Sequence, residues 1–341
     1  MKTRYLVLVL ATLAMALSAC REITITTTVN RDGTFTRMIT VSGDSAEAFK
    51  KELPWPVDAS WAMTSRKDTA GKDKFIVTYT KKYKDSEELA SETSSDTSWL
   101  RQVMRHTEIN KRFGFFYSYL SYKEVYTAAN PFTALPYKEH LSAEEILWLT
   151  HRHPIQGPSD SLEMKSAEDK AMSFLVESAA TELEKILAGG IAKLNDPRLR
   201  ENMVAGFHDS IRSALTKWSF KDAGSFVDSC GKWSGNSAFE RLKEVQPPLF
   251  TEFNRKARFL ENLVMMESYR AETEMPGLIT ATNSTALSGN RVAWDVFPMA
   301  FLLEDYTMEV ESRVINVWAF VLAGLVLLGL VALVVVKAVK R

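Results

Sequence analysis

Cys230 sits in Asp228-Ser-Cys-Gly-Lys-Trp233, and His208 lies upstream of it. A thiol beside an imidazole base is a nucleophile, but that pairing needs a contact that spacing alone does not give. The plain expectation is a thiol packed in the interior. His151-Arg152-His153, with His140 nearby, begins a metal-ligand pattern. No Asp-His follows to complete it, and a polar loop is expected. The sequence has no Gly-x-Ser-x-Gly elbow, phosphate-binding loop or zincin helix. No catalytic residue, metal ligand or cofactor is therefore assigned.

The strongest binding signal is aromatic. Residues 113–126 read Phe-Gly-Phe-Phe-Tyr-Ser-Tyr-Leu-Ser-Tyr-Lys-Glu-Val-Tyr. As one strand, period two puts Phe113, Phe115, Tyr117 and Tyr119 on one side, and Phe116, Leu120, Tyr122 and Tyr126 on the other. Both faces need cover. One reading packs helices on one face and a second layer on the other. The sharper reading is an apolar groove for a lipid tail, with tyrosine hydroxyls at its mouth. Trp55-Pro56 and Trp61 form a second aromatic cluster, placed either at lipid headgroups or at a core edge.

Both ends of the chain carry membrane signals. Lys2 and Arg4 precede the apolar run 5–17, and small residues Ser18 and Ala19 follow. This is the layout of a secretory signal over residues 1–19. Leu17-Ser-Ala-Cys20 resembles the lipobox of bacterial lipoproteins. The resemblance implies that the Cys20 thiol is acylated and that Cys20 becomes the new N-terminus. Each buried methylene contributes ~0.8 kcal/mol, so several acyl chains hold firmly where one does not. With Cys20 acylated, Cys230 has no cysteine partner.

Residues 317–336 are 20 consecutive uncharged apolar residues. At ~1.5 Å per residue they span about 30 Å, the thickness of bilayer hydrocarbon. The segment 314–336 is read as a transmembrane helix with Trp318 at its interface. Lys337, Lys340 and Arg341 place the tail 337–341 in the cytoplasm by the positive-inside rule. The outer region then lies beyond the cytoplasmic (inner) membrane, tethered at both ends. A compact domain of its length has a radius of gyration near ~19 Å, so both anchors are expected in one bilayer.

The chain carries 42 basic and 42 acidic residues. Setting aside Lys2, Arg4, Lys337, Lys340 and Arg341 gives the outer region a net charge of about −5. That balance argues against nucleic acid and against a polybasic lipid-surface patch.

The elements that must position these residues run strand, helix, strand. Residues 22–42 alternate around Asn30-Arg31-Asp32-Gly33, a hairpin signal. Residues 73–83 and 103–127 read as further strands, with short helices at 45–53 and 85–93. Ser142-Ala-Glu-Glu145 has capping-box spacing. Residues 161–188 form one apolar helical face, stopped at Gly189-Gly190. Asp196-Pro197 is expected to open a helix running to 217, and further helices follow at 237–246 and 249–266. After Pro276, residues 277–283 and 288–296 read as a second hairpin. The fold class is α+β: an antiparallel sheet built from both ends of the outer region, 20–139 and 268–313, with a helical insertion at 140–267. Both ends of that sheet are expected to return toward the bilayer.

Two stretches, 20–43 and 275–298, resemble the LppM-like bacterial lipoproteins. The Pro276-Gly277, the Gly289-Asn290 turn and Val292-Ala-Trp-Asp295 are the more specific part. The resemblance implies an α+β outer domain on a membrane helix, here with an enlarged helical middle. It also implies lipid or glycolipid binding, and it supplies no catalytic residues. The function expected is a non-enzymatic envelope lipoprotein acting as a binding or scaffold module, with lipid, glycolipid or an envelope protein as partner. Two alternatives stay open: a subunit of a membrane complex, in which the helices 161–188 and 197–217 hold the partner, and an enzyme acting on envelope material.

Overall fold

Isoleucine, valine and threonine alternate along residues 22–29 and 35–44, and both segments are strands joined at Asn30–Thr34. Gly33 supplies the positive φ of +96° that this tight turn requires. The computed structural model describes residues 21–50, 53–68, 74–95, 103, 105–150, 157–217, 222–245 and 247–339. Cys20, His151 and His153 lie outside the described residues.

The chain divides into two units. One comprises Met1–Thr127, Glu267–Val296 and Tyr306–Arg341; the other comprises Ala128–Met266 and Phe297–Asp305. Among the described residues the first holds all the strands: β1 (Glu22–Val29), β2 (Phe35–Asp44), β3 (Ala62–Lys67), β4 (Lys74–Tyr83), β5 (Arg105–Phe113), β6 (Tyr117–Tyr126), β7 (Tyr269–Glu274), β8 (Leu278–Thr282), β9 (Ala286–Ser288), β10 (Arg291–Val296) and β11 (Tyr306–Ile315). They form two sheets, ordered β3-β4-β2-β1-β7-β10-β9 and β5-β6-β11-β8. Both ends of the outer region contribute to each, as expected. The single antiparallel sheet is corrected to two, and β1 pairs with β7 in parallel.

The second hairpin is also corrected. β8 pairs with β11 in the smaller sheet, while β10 pairs with β7 and β9 in the larger. Gly277 makes the divergence possible. It has φ +87°, and a Cβ there would lie 2.4 Å from the Arg313 carbonyl oxygen. Only a residue without a side chain lets the two backbones approach so closely. Phe35, Arg37, Ile39 and Val41 of β2 are buried on one face. Leu120, Tyr122, Glu124 and Tyr126 are buried on one face of β6. Arg37 bonds to Tyr122 and Glu124, so the two faces meet. The second layer over β6 is thus the larger sheet.

The other unit is helical. Ser142 caps the helix Ala143–Leu149 with the expected reciprocal bonds to Glu145. The helix Pro158–Leu194 runs through Gly189-Gly190 and ends at Asn195, whose φ is +46°. Two glycines cost ~1 kcal/mol each, but Leu183, Leu187, Gly190 and Ile191 continue one buried face across them. Asp196 does not open a helix. Its carboxylate accepts from Arg198 and Arg241 instead. The expected continuous helix to 217 is two pieces, Asn202–Ala205 and His208–Thr216. Asp222 caps a helix at Ala223–Ser234 that periodicity did not mark.

Candidate membrane-surface site

The aromatic run is not one strand. β5 ends at Phe113 and β6 begins at Tyr117, so Gly114, Phe115 and Phe116 form the turn of a hairpin. A Cβ at Gly114 would lie 2.6 Å from the Tyr117 carbonyl oxygen, which makes glycine the residue that closes this turn. The seven aromatic residues therefore separate into two groups.

The first group surrounds the start of the helix Val317–Val339. Among the described residues this is the one helix long and apolar enough to cross a membrane. Asn316, the single residue between β11 and that helix, ties it to the turn. Its Nδ2 donates to the carbonyls of Gly114 at 2.7 Å and Phe115 at 3.2 Å. Its Oδ1 accepts from Ser118 Oγ at 3.0 Å, and its backbone N–H donates to Phe116 at 2.9 Å. Its own carbonyl takes the Ala319 N–H at 2.9 Å and so begins the helix. Asn316→Ala removes three of these bonds. It is expected to cost ~1–3 kcal/mol and to raise amide hydrogen exchange at residues 114–118, with the strand pairing of β6 and β11 retained.

Aromatic rings collar this junction. Phe113 stacks on Trp318 with centroids 6.2 Å apart, and Phe115 meets Trp318 edge-on at 5.4 Å. Phe116 lies 4.9 Å and Tyr117 6.0 Å from Phe320. Phe113, Phe115 and Phe116 are nonetheless exposed, at 64%, 49% and 38%. Large apolar rings left in contact with solvent at the head of a helix long and apolar enough to cross a membrane suit the interfacial layer.

Cations gather at the same end. Arg313 covers the Tyr117 ring at 4.7 Å and Arg112 covers the Tyr119 ring at 4.6 Å. Arg31 and Lys111 line a cleft of about 250 Å³ with Ser118, Asn316 and Trp318. The segments 30–34, 111–119 and 313–318 thus hold Arg31, Lys111, Arg112 and Arg313 against one carboxylate, Asp32. Hydrogen bonds from Thr34, with Lys111 nearby, hold the Asp32 carboxyl below its usual range. The net negative charge of the outer region argued against a basic patch; folding creates one locally.

The second group is interior. Tyr122 and Tyr126 are 2% and 1% exposed. Arg37 Nη2 donates to Tyr122 Oη at 2.9 Å and to Glu124 Oε2 at 2.6 Å, and Arg37 Nε donates to Thr27 at 3.2 Å. Glu124 also accepts from the hydroxyls of Tyr122 and Tyr126, and Tyr126 shares a bond of 2.6 Å with Tyr269. Burial works to raise the Glu124 pKa, but the Arg37 charge and the phenol hydrogen bonds outweigh it and hold the carboxyl below its ordinary value. Burial pushes the Tyr269 phenol up to about 12. These tyrosines join the two sheets. They do not stand at the mouth of a groove, as the strand reading had placed them. Trp55 and Trp61 are buried too, with Arg37 4.1 Å over the Trp55 ring and the Trp61 indole donating to Glu92. They belong to the core.

In the helical unit, Cys230 is fully buried, and burial pushes its thiol up to about 12. His208 Nδ1 lies 2.7 Å from Glu184 and Nε2 lies 2.8 Å from Glu177. Burial lowers the His208 pKa, but the two carboxylates outweigh it and the net shift is upward from 6.5. Its contribution to stability is therefore fully present below 6.5 and is lost as pH rises through the folded value. His208→Gln is expected to cost about 0.5–1 kcal/mol at pH 6 and less at pH 9. Thermal melts at the two pH values test this, and a cost that grows with pH would refute it. His140 packs 5.2 Å from Phe174. Among the described residues no cluster of three or more His, Cys, Asp or Glu is arranged to hold a metal ion.

No protein-family profile and no curated protein matches the chain. Among solved structures it is similar to the folded domain of the Mycobacterium tuberculosis LppM protein, determined by NMR. The identity is 8%, the match covers 88% of this chain and 92% of that one, and the TM-score is 0.28. At that score the likeness carries no inference about function.

Proposed function

We propose that this chain is a non-enzymatic lipoprotein of the bacterial cell envelope, acylated at Cys20 and held in the cytoplasmic membrane by the helix Val317–Val339. Its outer region is a binding module that engages lipid at the bilayer surface. The observation that carries the reading is the collar: exposed Phe113, Phe115 and Phe116 with Arg31, Lys111, Arg112 and Arg313 around the first turn of that helix. Aromatic rings fit the interfacial layer, and guanidinium and ammonium groups at the same level meet lipid phosphates. Cys230 is fully buried and its thiol pKa is raised, which disfavours the thiolate and argues against this one residue as a nucleophile.

The test is native mass spectrometry of the full chain extracted in mild detergent. Anionic lipid is expected to be retained by the wild type. It should be largely lost when Arg31, Lys111, Arg112 and Arg313 are all changed to glutamine. Cys20→Ser is expected to remove the acyl mass and leave the protein in the membrane fraction. An unchanged lipid complement in the four-glutamine variant would sink the collar reading.

A further inference from the structure

The two ends of the outer region lie a full strand apart. Arg31, in the turn after β1, lines the same cleft as Trp318, so β1 runs toward the membrane helix. β7 lies parallel to β1, with Thr28 bonded to Glu274, and Gly277 just beyond it abuts Arg313. The opposite end is equally well marked. Tyr269 at the start of β7 bonds Tyr126, the end of β6 remote from the collar. Beside it, Arg21 donates to Glu267 at 2.9 Å and to the Lys50 carbonyl at 3.1 Å, and its side chain is 2% exposed. Ten residues at ~3.3 Å each separate Arg21 from Arg31 by about 33 Å. Arg21 therefore stands at the end of the sheets away from the first turn of the helix Val317–Val339.

Cys20 lies outside the described residues and is joined directly to Arg21 in the sequence. Arg21 is pinned and Glu22 already belongs to β1, so no slack connects an acyl group on Cys20 to the collar. Resting on the acylation of Cys20 proposed above, we infer that the two-sheet unit lies on its side with both anchors in one bilayer. The end that bears Arg21 is then a second lipid-contacting surface. Standing upright, the unit would hold the acyl chains about 33 Å above the headgroups. Phe49 is 40% exposed at this end, edge-on to Phe75 at 5.7 Å. Its helix, Ser45–Ala48, follows the pairing of Asp44 with Lys74, and a Cβ at neighbouring Gly43 would lie 3.7 Å from the Arg21 Cα. An exposed aromatic beside the acylation point suits the interfacial layer.

The test places a fluorophore on Ala46→Cys, an exposed position of that helix, in the full chain with Cys230→Ala. An acylated Cys20 offers no thiol to the label. The protein is reconstituted in vesicles whose lipids carry spin labels at the headgroup. Quenching is expected to be strong in the acylated chain and to fall severalfold with Cys20→Ser. Weak, equal quenching in both, with mass spectrometry confirming acylation, would overturn the reclining arrangement alone. Quenching seen only when the spin labels are in a second vesicle population would also overturn it, by placing the acyl chains in a separate bilayer. Absence of acyl mass on Cys20 would remove the inference and the lipoprotein reading together.

Discussion

Glu124→Ala is expected to destabilise the two-sheet unit by about 3–5 kcal/mol, the usual cost of leaving one member of a buried ion pair alone. The side chains of Arg37 and Glu124 are 1% and 3% exposed. Removing the carboxylate leaves a guanidinium between two sheets whose remaining hydrogen bonds, to Thr27 and Tyr122, are to neutral hydroxyls. It also takes the acceptor from two phenols. Chemical denaturation of the full chain in detergent measures the loss, and a cost below about 1 kcal/mol would contradict this account. The double variant Arg37→Met with Glu124→Leu is expected to recover most of the loss, because two apolar side chains need no partner. The pH dependence has a definite sign. The folded Glu124 pKa lies below its ordinary 4.5. Its contribution is therefore fully present above 4.5 and disappears as pH falls through the folded value. Wild type and Glu124→Ala should converge in stability under acid.

The second large effect concerns the helices. Replacing residues 140–267 by a short linker is expected to give an aggregating protein. Replacing both Ala128–Met266 and Phe297–Asp305 is expected to give a soluble, strand-rich one. The difference lies in residues 297–305, which belong to the helical unit. Ala300, Phe301, Leu302 and Leu303 are 1%, 0%, 0% and 8% exposed. Stripped of the helices, the larger of these would each lose ~1.5–3 kcal/mol of burial and form an apolar patch. The buried face of β6 is not at risk, because the larger sheet covers it. Closing the gaps costs little. Tyr126 bonds Tyr269, Val296 is paired with Tyr269, and Tyr306 is paired with Tyr126, so all four cut ends start close together. Each doubling of a loop costs only ~0.6 kcal/mol. Size-exclusion chromatography and circular dichroism in detergent distinguish the outcomes. A soluble, monodisperse 140–267 replacement would show that residues 297–305 do not depend on the helices.

What could be read from the sequence is what local chemistry dictates. The Asp32-Gly33 turn and the capping box at Ser142 each depend on residues within a few positions of one another and are found where their patterns place them; the apolar helix begins at Val317 rather than at 314, because Val314 and Ile315 belong to β11. The α+β class follows from the same local periods. The long helix through Gly189-Gly190 shows where local rules give way: burial of Ile191 on the continuing face outweighs two poor helix formers. The partner of each strand was not legible. β8 and β10 are a few residues apart, yet they join different sheets, because Gly277 lets β8 approach β11.

The site followed the same division. Alternation put Tyr122, Glu124 and Tyr126 on one side of β6, but Arg37, 87 residues before Glu124, turns that side into a buried ionic seam. The collar draws on the turn at Gly114, on Arg31 and on Asn316, about 200 residues away along the chain from Phe115. Residue types alone determined that aromatics, cations and a segment long and apolar enough to cross a membrane exist in this chain. Only the tertiary structure decided that they meet at one end of the sheets while Arg21 is held at the other. Strand direction and pairing set that geometry, and both depend on contacts between residues far apart in sequence.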